Sequence, residues 1–406
     1  MDVVSLIKSS TLVHIWLMST LLISALIVTS CQCLTLFLWP FSKRLYRDAN
    51  GLIMNMLWLE LVWLIDSWSG SEVILHMTEE EMRLLGNEHC LLIFNHRQDV
   101  DWLVTWQIAE KFKVLRGAKS VMKNELKYVP FFGWSFYLTE QLFVSRDYAK
   151  DKTSLMKHFK NITTFHHPCV TLIFCEGTRY TKEKYEKSQA FAKAKGLPGL
   201  KHHLLPRTKG FNLCVEAYKG KVPALYDATI AYKDGAQSSL YDLLCGKKFV
   251  YHIHSRRIPL EEIPTDTEEA TSEYCHELYR KKDETYQYFL DHNTFAGYDA
   301  ERTEHRLPQS MRPKYVMVFW TLTIGLPLIY YTLLVLLSGS TVLMLIVVAI
   351  FYGAFSVVKS MLNFTVASKG SAYGSNKEGR SKSGVQNGNA ESNGTSTHPS
   401  DEKKTD

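Results

Sequence analysis

Two long stretches without a charged side chain constrain the fold of this 406-residue chain more than any other feature. The first runs from Thr11 to Pro40 and holds no Asp, Glu, Lys or Arg, and the second covers the 43 residues from Val316 to Val358. A helix that crosses a bilayer needs about 20 consecutive, mostly apolar residues. We therefore expect membrane-embedded helices near both ends of the chain, with a folded domain between them.

The first stretch predicts an N-terminal membrane span within residues 1–40. A cleaved signal peptide is the competing interpretation, but the apolar part is too long and only Lys8 marks a basic front end. The second stretch predicts a transmembrane hairpin within residues 313–360. Its turn is expected at Ser338-Gly339-Ser340, and Pro327 is expected to kink its first helix.

Residues 41–70 include a further apolar run, and this run carries two carboxylates. Leu52 to Trp68 is almost continuously apolar, yet it contains Glu60 and Asp66. Because an unpaired carboxylate in hydrocarbon is costly, we expect an interfacial or membrane-embedded helix that does not cross the bilayer. An ordinary core helix is the alternative.

Basic residues beside the apolar segments indicate which flanks face the cytosol. Cytosolic flanks are enriched in Lys and Arg, and here the basic residues are Lys43, Arg44, Arg47, Arg312, Lys314 and Lys359. The composition of residues 361–406 predicts a disordered cytosolic tail, and its Lys403-Lys404 pair resembles a dilysine retrieval signal. These features predict a multi-pass protein of the endoplasmic reticulum membrane whose catalytic domain faces the cytosol.

Residues 71–312 contain short apolar runs of the kind that form buried strands, and four of them lead directly into polar residues. In open α/β sheets, ligands bind beyond the carboxyl ends of the strands. The sequence therefore predicts an α/β catalytic domain with a basic pocket that faces a histidine. The four runs and the residues that follow them are Cys90 to Phe94 with His96, Ser120 to Met122 with Lys123, Leu142 to Ser145 with Arg146, and Val170 to Cys175 with Glu176.

His96 and Asp101 are the candidates for acid–base chemistry. Five residues along a straight helix turn through roughly 500°, so the two side chains would diverge if both lay in one helix. We expect His96 in a strand-to-helix turn and Asp101 in the first helical turn, where the side chains can converge. A carboxylate on one imidazole nitrogen fixes the tautomer and leaves the other nitrogen as a base. The alternative is that His96 and Asp101 merely favour the start of a helix.

Glu176-Gly177-Thr178-Arg179 is the second motif, about eighty residues downstream of the first. A guanidinium matches phosphate bidentately, so Arg179 is a candidate phosphate ligand. A solvated surface charge is the alternative for each basic residue taken singly. A histidine base beside a phosphate-binding arginine is suited to the transfer of an acyl group onto a hydroxyl.

Four sequence blocks in order resemble the glycerolipid acyltransferases typified by 1-acylglycerol-3-phosphate acyltransferase. The chain is similar to the animal branch of this family, which carries C-terminal membrane segments, in the stretch from Leu204 to Phe211. It departs from the usual pattern at Arg97, Asp99 and Cys175. The matching blocks are Asn95-His96 with Asp101, Gly133 through Arg146, Glu176 to Arg179, and Val222-Pro223-Ala224.

The resemblance implies an α/β fold of the glycerolipid acyltransferase type, with membrane-embedded helices at both ends. It also implies transfer of an acyl chain from acyl-coenzyme A to the sn-2 hydroxyl of lysophosphatidic acid, giving phosphatidic acid without a further cofactor. His96 would be the base and Asp101 its orienting partner. Arg179 and Arg146 would bind the acceptor phosphate with Lys123 as a weaker ligand, and Glu176 would orient an arginine or the glycerol.

Other functions are compatible with parts of this pattern. The acceptor could be a different lysophospholipid, such as lysophosphatidylinositol, because all of these lipids share the phosphate. A catalytically silent relative that only binds membranes is a second alternative. A serine hydrolase of lipids is disfavoured, because Gly133-Trp-Ser-Phe-Tyr137 lacks the second glycine of the Gly-x-Ser-x-Gly pattern.

Composition gives no support for nucleic-acid or metal binding. The formal net charge of +6 is modest and fits an anionic membrane surface and anionic substrates. The eight cysteines include no Cys-x-x-Cys pair, and the histidine pairs lack suitably spaced acidic or thiol partners. We therefore predict no metal site and no nucleic-acid partner.

Overall fold

The computed structural model describes residues 3–145 and 148–365. Arg146 and most of the predicted tail, from residue 366 onward, lie outside the described residues. The helices of the described part are α1 (Val3–Ser9), α2 (Thr11–Thr35), α3 (Lys43–Trp63), α4 (Glu79–Leu84), α5 (Asp101–Lys111), α6 (Phe132–Leu138), α7 (Tyr148–Ile162), α8 (Lys182–Ala194), α9 (Thr208–Tyr218), α10 (Leu240–Leu244), α11 (Glu268–His292), α12 (Met311–Trp320), α13 (Leu326–Leu337) and α14 (Thr341–Thr365).

Eight strands form one mixed sheet in the order β4-β3-β5-β2-β6-β7-β1-β8. The five strands from β4 to β6 run parallel to one another, whereas β7 is antiparallel to β6 and β8 is antiparallel to β1. The predicted α/β fold is confirmed, and the carboxyl ends of β2 to β5 meet at one edge. The strands are β1 (Glu72–Met77), β2 (Cys90–Phe94), β3 (Ala118–Lys123), β4 (Leu142–Val144), β5 (Val170–Ile173), β6 (Ala224–Tyr232), β7 (Val250–Pro259) and β8 (Thr303–Arg306).

Alternate residues of the buried strands pack into two different cores. Leu91 and Ile93 of β2 contact the core beneath α7, α9 and α11, while Cys90 and Phe94 contact the core beneath α5. This period of two is the geometry of a strand buried on both faces. The second core continues into α2 and α3, where the indole of Trp58 stacks on that of Trp106 at a centroid distance of 4.1 Å.

Within the described residues, three helices are long and apolar enough to cross a membrane: Thr11–Leu38, Lys43–Trp68 and Met311–Leu337. The second of these is α3 continued by a π-helical turn at Leu64–Trp68. Its Asp66 is paired, since one carboxylate oxygen lies 2.9 Å from Lys111 Nζ and 3.0 Å from Gln107 Nε2. One of the two carboxylates that disfavoured a crossing is thus bonded to helix α5 of the domain that contains the sheet.

The α2–α3 pair touches the catalytic domain at both of its ends. At one end, the His14 ring lies 6.1 Å from that of Tyr241, and Trp68 Nε1 donates to Leu244 O at 2.7 Å. At the other end, Thr29 Oγ1 donates to Phe131 O at 3.1 Å, and Arg47 pairs with Glu140 at 2.7 Å. The two helices therefore lie along the domain and do not project away from it.

The C-terminal apolar stretch forms the expected pair of helices with a break at residues 338–340. Pro327 lies at the start of α13, directly after a π-helical turn at Thr321–Gly325. A proline inside a continuous helix removes a backbone hydrogen bond, and the π turn accommodates this loss. Trp16 of α2 donates to Gly325 O at 3.1 Å, so the apolar helices from the two ends of the chain pack together.

Candidate active site

The turn between β2 and α5 brings the first motif together. Asn95 has left the regular strand, but its side chain continues the pairing with β6: Oδ1 accepts from Ile230 N at 2.7 Å and Nδ2 donates to Ile230 O at 3.1 Å. Asn95 thereby fixes the backbone at the point where His96 leaves the sheet. The helix α5 then begins at Asp101, as the sequence predicted.

The imidazole of His96 is bonded to the carboxylate of Asp101. His96 Nδ1 lies 2.8 Å from Asp101 Oδ2, which also accepts the backbone N–H groups of Arg97 at 2.7 Å and Gln98 at 2.9 Å. The Asp101 side chain is fully buried, whereas that of His96 is 19% exposed. The arrangement holds the imidazole by Nδ1 and leaves Nε2 as the second ring nitrogen of an accessible histidine.

Two aromatic side chains that the sequence analysis missed complete the support of this pair. The hydroxyl of Tyr232 donates to Asp101 Oδ1, and the ring of Phe174 stacks on that of His96 at 4.1 Å. Burial and the nearby Asp101 charge raise the pKa of Tyr232, so its hydroxyl stays a donor. Tyr232 is 131 residues from Asp101, and no local sequence signal connects the two.

Glu176 does not face the substrate side of the site. It is buried, and its Oε1 accepts the backbone N–H of His96 at 2.8 Å. Burial raises the pKa of this carboxyl to about 8. The family resemblance implies that Glu176 orients an arginine or the acceptor glycerol, whereas its Oε1 lies against the backbone of His96 in the structure. The strand pairing of β2 with β5 explains the contact, because it brings the ends of these strands side by side.

A cavity of about 200 Å³ opens at the carboxyl ends of β2 to β5. Its wall contains His96 and three basic residues, Lys123, Arg179 and Arg207, and one side of the cavity is apolar. A cationic region beside an apolar one suits a ligand with an anionic head and a hydrocarbon chain. The apolar lining includes Val121, Val144, Leu155, Phe159, Ile173 and Phe211.

The second motif supplies the cationic side of this cavity. Gly177 adopts a left-handed conformation with φ of 68°, and Tyr180 N donates to His96 O at 2.8 Å, which ties the two motifs together. Arg179 Nη1 lies 3.9 Å from Asp99 Oδ2. Burial raises the pKa of Asp99, and the Arg179 charge opposes this shift. Thr178, which also lines the cavity, accepts from Lys184 Nζ at 2.8 Å.

Arg207 is the basic residue that the sequence analysis did not assign to the site. Its backbone N–H donates to Cys175 O at 2.7 Å, which holds the loop before α9 beside the end of β5. In the sequence, the stretch from Leu204 to Phe211 indicated a family resemblance and gave no sign that Arg207 lines the cavity. Arg146, the other arginine predicted here, lies outside the described residues.

Among residues 3–145 and 148–365, no group of three or more His, Cys, Asp or Glu side chains is arranged to hold a metal ion. The histidines that the sequence shows in pairs are engaged elsewhere. His203 Nδ1 lies 3.0 Å from Asp283 Oδ1, and His252 Nδ1 lies 3.2 Å from His76 Nε2 within the sheet. These pairs belong to the interior of the domain.

Comparison with known proteins places the whole chain in one family. The family model described as Acyltransferase matches residues 73–232, and that described as Acyltransferase C-terminus matches residues 242–320. The chain is 35% identical over 376 residues to 1-acyl-sn-glycerol-3-phosphate acyltransferase delta of Bos taurus, which covers 92% of this chain and 97% of that protein.

A second relative gives the same result. The chain is 35% identical over 385 residues to 1-acyl-sn-glycerol-3-phosphate acyltransferase gamma of Homo sapiens, covering 94% of this chain and 100% of that protein. The family resemblance seen in the four sequence blocks is confirmed. The chain belongs to the acyltransferase family that contains the 1-acyl-sn-glycerol-3-phosphate acyltransferases.

Proposed function

We propose that the protein transfers a fatty acyl chain from acyl-coenzyme A to the sn-2 hydroxyl of 1-acylglycerol-3-phosphate, giving phosphatidic acid and free coenzyme A. One observation carries the proposal: a buried carboxylate holds His96 at the wall of a cavity that also presents Lys123, Arg179 and Arg207. The curated relatives named above are acyltransferases for this acceptor, which supports the same choice.

His96 acts as the general base in this reaction. Asp101 accepts a hydrogen bond from the Nδ1–H group of His96, so Nε2 is available to take the proton of the acceptor hydroxyl. The hydroxyl oxygen forms a bond to the thioester carbonyl carbon, and the carbon–sulfur bond then breaks. The leaving thiolate takes this proton from the imidazolium, which regenerates the base. No acyl-enzyme forms, because the acceptor oxygen attacks the thioester directly. Asp101 stabilises the imidazolium in between.

The basic residues of the cavity bind the acceptor phosphate. The guanidinium of Arg179 can bind two phosphate oxygens at once, and Lys123 adds a point charge. Arg207 is a further ligand for the phosphate, and Arg146 keeps the role implied by the family resemblance. Gly177 and Thr178 shape the turn that presents Arg179, and Glu176 supports the His96 backbone. The apolar wall accommodates hydrocarbon next to the reacting ester.

The apolar helices place the reaction at a membrane. We propose that α13 and α14 cross the bilayer of the endoplasmic reticulum as a hairpin and that the catalytic domain lies on the cytosolic side. The basic flanks Arg312, Lys314 and Lys359 support this orientation. A crossing was predicted within residues 1–40, but both ends of the α2–α3 pair touch the catalytic domain. We therefore propose that these two helices are immersed in the cytosolic leaflet.

A panel of acceptors tests the proposed function. Membranes that contain the protein are incubated with labelled acyl-coenzyme A and, separately, with several lysophospholipids, and the labelled products are quantified. We expect phosphatidic acid to be formed with the highest kcat/KM. Preferential labelling of phosphatidylinositol would assign the other acceptor, and no labelled product from any acceptor would identify a catalytically silent relative.

A further inference from the structure

Three large aromatic side chains project into solvent from segment 124–138, which follows β3 and includes α6. Tyr128 is 78% exposed, Trp134 is 59% exposed and Tyr137 is 68% exposed. Side chains of this size bury apolar area in a folded protein, and an exposed group of them marks an interaction surface. Tyr and Trp in particular are enriched where a protein meets the membrane–water interface.

Segment 124–138 borders the catalytic cavity. It begins directly after Lys123, which lines the cavity, and the ammonium of Lys127 lies 4.9 Å from the ring centre of Phe143. Phe143 precedes Val144, another residue of the cavity wall. The exposed aromatic side chains therefore belong to a segment that adjoins the cavity wall at two places, at Lys123 and at β4.

The same segment is also bonded to the apolar helices α2 and α3. Thr29 Oγ1 of α2 donates to Phe131 O at 3.1 Å. Tyr46 Oη and Asn50 Nδ2 of α3 donate to Leu138 O at 2.6 and 3.1 Å. Around Thr29, α2 exposes the apolar side chains of Leu26, Ile27 and Leu34. The exposed aromatic residues thus lie next to a surface that is already apolar enough for lipid.

The backbone of segment 124–138 is held in a sparsely populated conformation. Phe131 has a φ of 62° and a ψ of −52°, and Phe132 N donates to Pro130 O at 2.7 Å, which closes a γ-turn. γ-Turns with a positive φ at the central residue are rare and strained, and strained backbone of this kind clusters at functional sites. Gly133 is needed directly afterwards, because a Cβ there would lie 2.3 Å from Lys127 O.

We propose that segment 124–138 inserts Tyr128, Trp134 and Tyr137 into the interfacial region of the cytosolic leaflet and forms the passage by which the lysophospholipid acceptor moves from the bilayer to the catalytic cavity. This inference rests on the proposed function. The aromatic rings bury their apolar faces among acyl chains while their hydroxyl and indole N–H groups stay at the headgroups. Lys127 lies at the level of anionic headgroups and is drawn to them.

Two acceptors distinguish membrane access from catalysis. The double variant Trp134→Ser/Tyr137→Ser is reconstituted in lipid nanodiscs and assayed with a long-chain lysophosphatidate dissolved in the bilayer and with a short-chain lysophosphatidate dissolved as monomers in water. We expect KM for the bilayer acceptor to rise at least about ten-fold. This is the change in affinity expected when two aromatic side chains that are partly buried in the membrane are removed. The short-chain acceptor should be used within about two-fold of the wild-type rate, since it needs no passage from the leaflet.

Phe191→Ser is the matched control, because Phe191 is a 39% exposed aromatic residue on α8, away from the apolar helices. It should leave the kinetics with both acceptors unchanged. The inference fails if the double variant uses the bilayer acceptor as the wild type does, or if it loses activity equally with both acceptors. Failure of the proposed function is a different result: the wild type would then acylate neither acceptor.

A fluorescence measurement on a conservative variant gives a second readout that does not depend on turnover. The spectrum of Trp134→Phe is subtracted from that of the wild type, which isolates the emission of Trp134, and nanodiscs with dibrominated lipids are compared with unbrominated ones. We expect the isolated emission to be quenched by the brominated lipids. If the emission is unquenched, Trp134 faces water, a protein partner or a second copy of the chain, and the membrane passage is refuted.

Discussion

The carboxylate of Asp101 accepts hydrogen bonds from four donors, and this single residue explains how the reactive geometry is held. The donors are the imidazole of His96, the backbone N–H groups of Arg97 and Gln98, and the hydroxyl of Tyr232. A buried carboxylate with this many donors has little freedom to rotate. His96 is therefore oriented before any substrate arrives.

Replacing His96 with Ala tests the base directly. We expect kcat to fall by at least about a hundred-fold, which is the smallest loss expected for a general base, while the protein stays folded and membrane-bound. Activity is measured with labelled acyl-coenzyme A, and folding is followed by size-exclusion chromatography in detergent. A variant that retains near-normal turnover would remove His96 from the mechanism.

Tyr232→Phe tests whether the tyrosine hydroxyl positions the catalytic pair. The variant keeps the ring but loses one hydrogen bond to a charged group, so we expect kcat to fall by roughly ten-fold with KM for both substrates unchanged. Tyr251→Phe is the control, because Tyr251 is equally buried and its hydroxyl contacts Ser238 and not Asp101. If kcat falls equally in the two variants, the hydroxyl of Tyr232 contributes to packing and does not position the His96–Asp101 pair.

Arg179 variants test the phosphate-binding role. Arg179→Ala should mainly raise KM for the phosphorylated acceptor, and Arg179→Lys should restore it poorly, because an ammonium cannot bind two oxygens in a fixed plane. KM for acyl-coenzyme A provides the internal comparison and should change by less than about two-fold if the interaction is confined to the acceptor. An equal loss with a lysolipid that lacks phosphate would contradict this assignment.

At the scale of single elements, α3 is the helix that joins the apolar segments to the catalytic domain. Its N-terminal end is bonded through Arg47 to Glu140, its middle stacks through Trp58 on Trp106, and the π turn that follows it carries Asp66. Asp66 is almost fully buried and pairs with Lys111 of α5 at 2.9 Å. The helix that begins at Asp101 thus carries the partner of Asp66 at its end.

Lys111→Met tests this connection. Removing one partner of a buried ion pair leaves an uncompensated charge, and we expect a destabilisation of about 3 kcal/mol. The double variant Asp66→Asn/Lys111→Met should recover most of this loss, since the unpaired charge is then gone. Thermal unfolding in detergent measures both. A single variant as stable as the wild type would show that Gln107 and Ser310, the other donors to Asp66, suffice.

The whole molecule combines a parallel sheet with apolar helices from both ends of the chain. One face of the sheet is covered by α7, α9 and α11, and the core on the other face continues through α5 into α3 and α2. The helices α2 and α3 are thus part of the folded domain, and the segment beside the cavity is bonded to them. A catalytic site built in this way can receive a lipid acceptor without releasing it into water.

Cysteine labelling tests how the α2–α3 pair lies in the membrane. In a background in which Cys31, Cys33 and the partly exposed Cys245 are replaced by Ser and the remaining cysteines are buried, one further cysteine is introduced as Ser9→Cys or Phe41→Cys. Sealed microsomes are then treated with a membrane-impermeant maleimide. Both positions are exposed at opposite ends of α2. We expect labelling of both from the cytosolic side. If Ser9→Cys is labelled only after permeabilisation, residues 1–40 cross the bilayer as a simple span.

Local sequence patterns were sufficient to predict the strands and the helices that bear the motifs. Cys90 to Phe94 is β2, the turn at His96 leads into α5 at Asp101, and residues 338–340 separate α13 from α14. These features depend on hydrophobic periodicity, turn residues and segment length, all of which act over a few residues. The blocks that begin at Asn95 and Glu176 follow the parallel strands β2 and β5, so their residues lie at the same edge of the sheet.

The tertiary structure alone decided which distant groups support the site. Tyr232 reaches Asp101 only because β6 pairs with β2, and Arg207 reaches the cavity only because the loop before α9 is bonded to the end of β5. Glu176 was expected to orient an arginine or the acceptor glycerol, yet the pairing of β2 with β5 brings its carboxylate to the His96 backbone. Strand order is set by packing of the whole sheet, and the sequence of one strand does not specify which strands lie beside it.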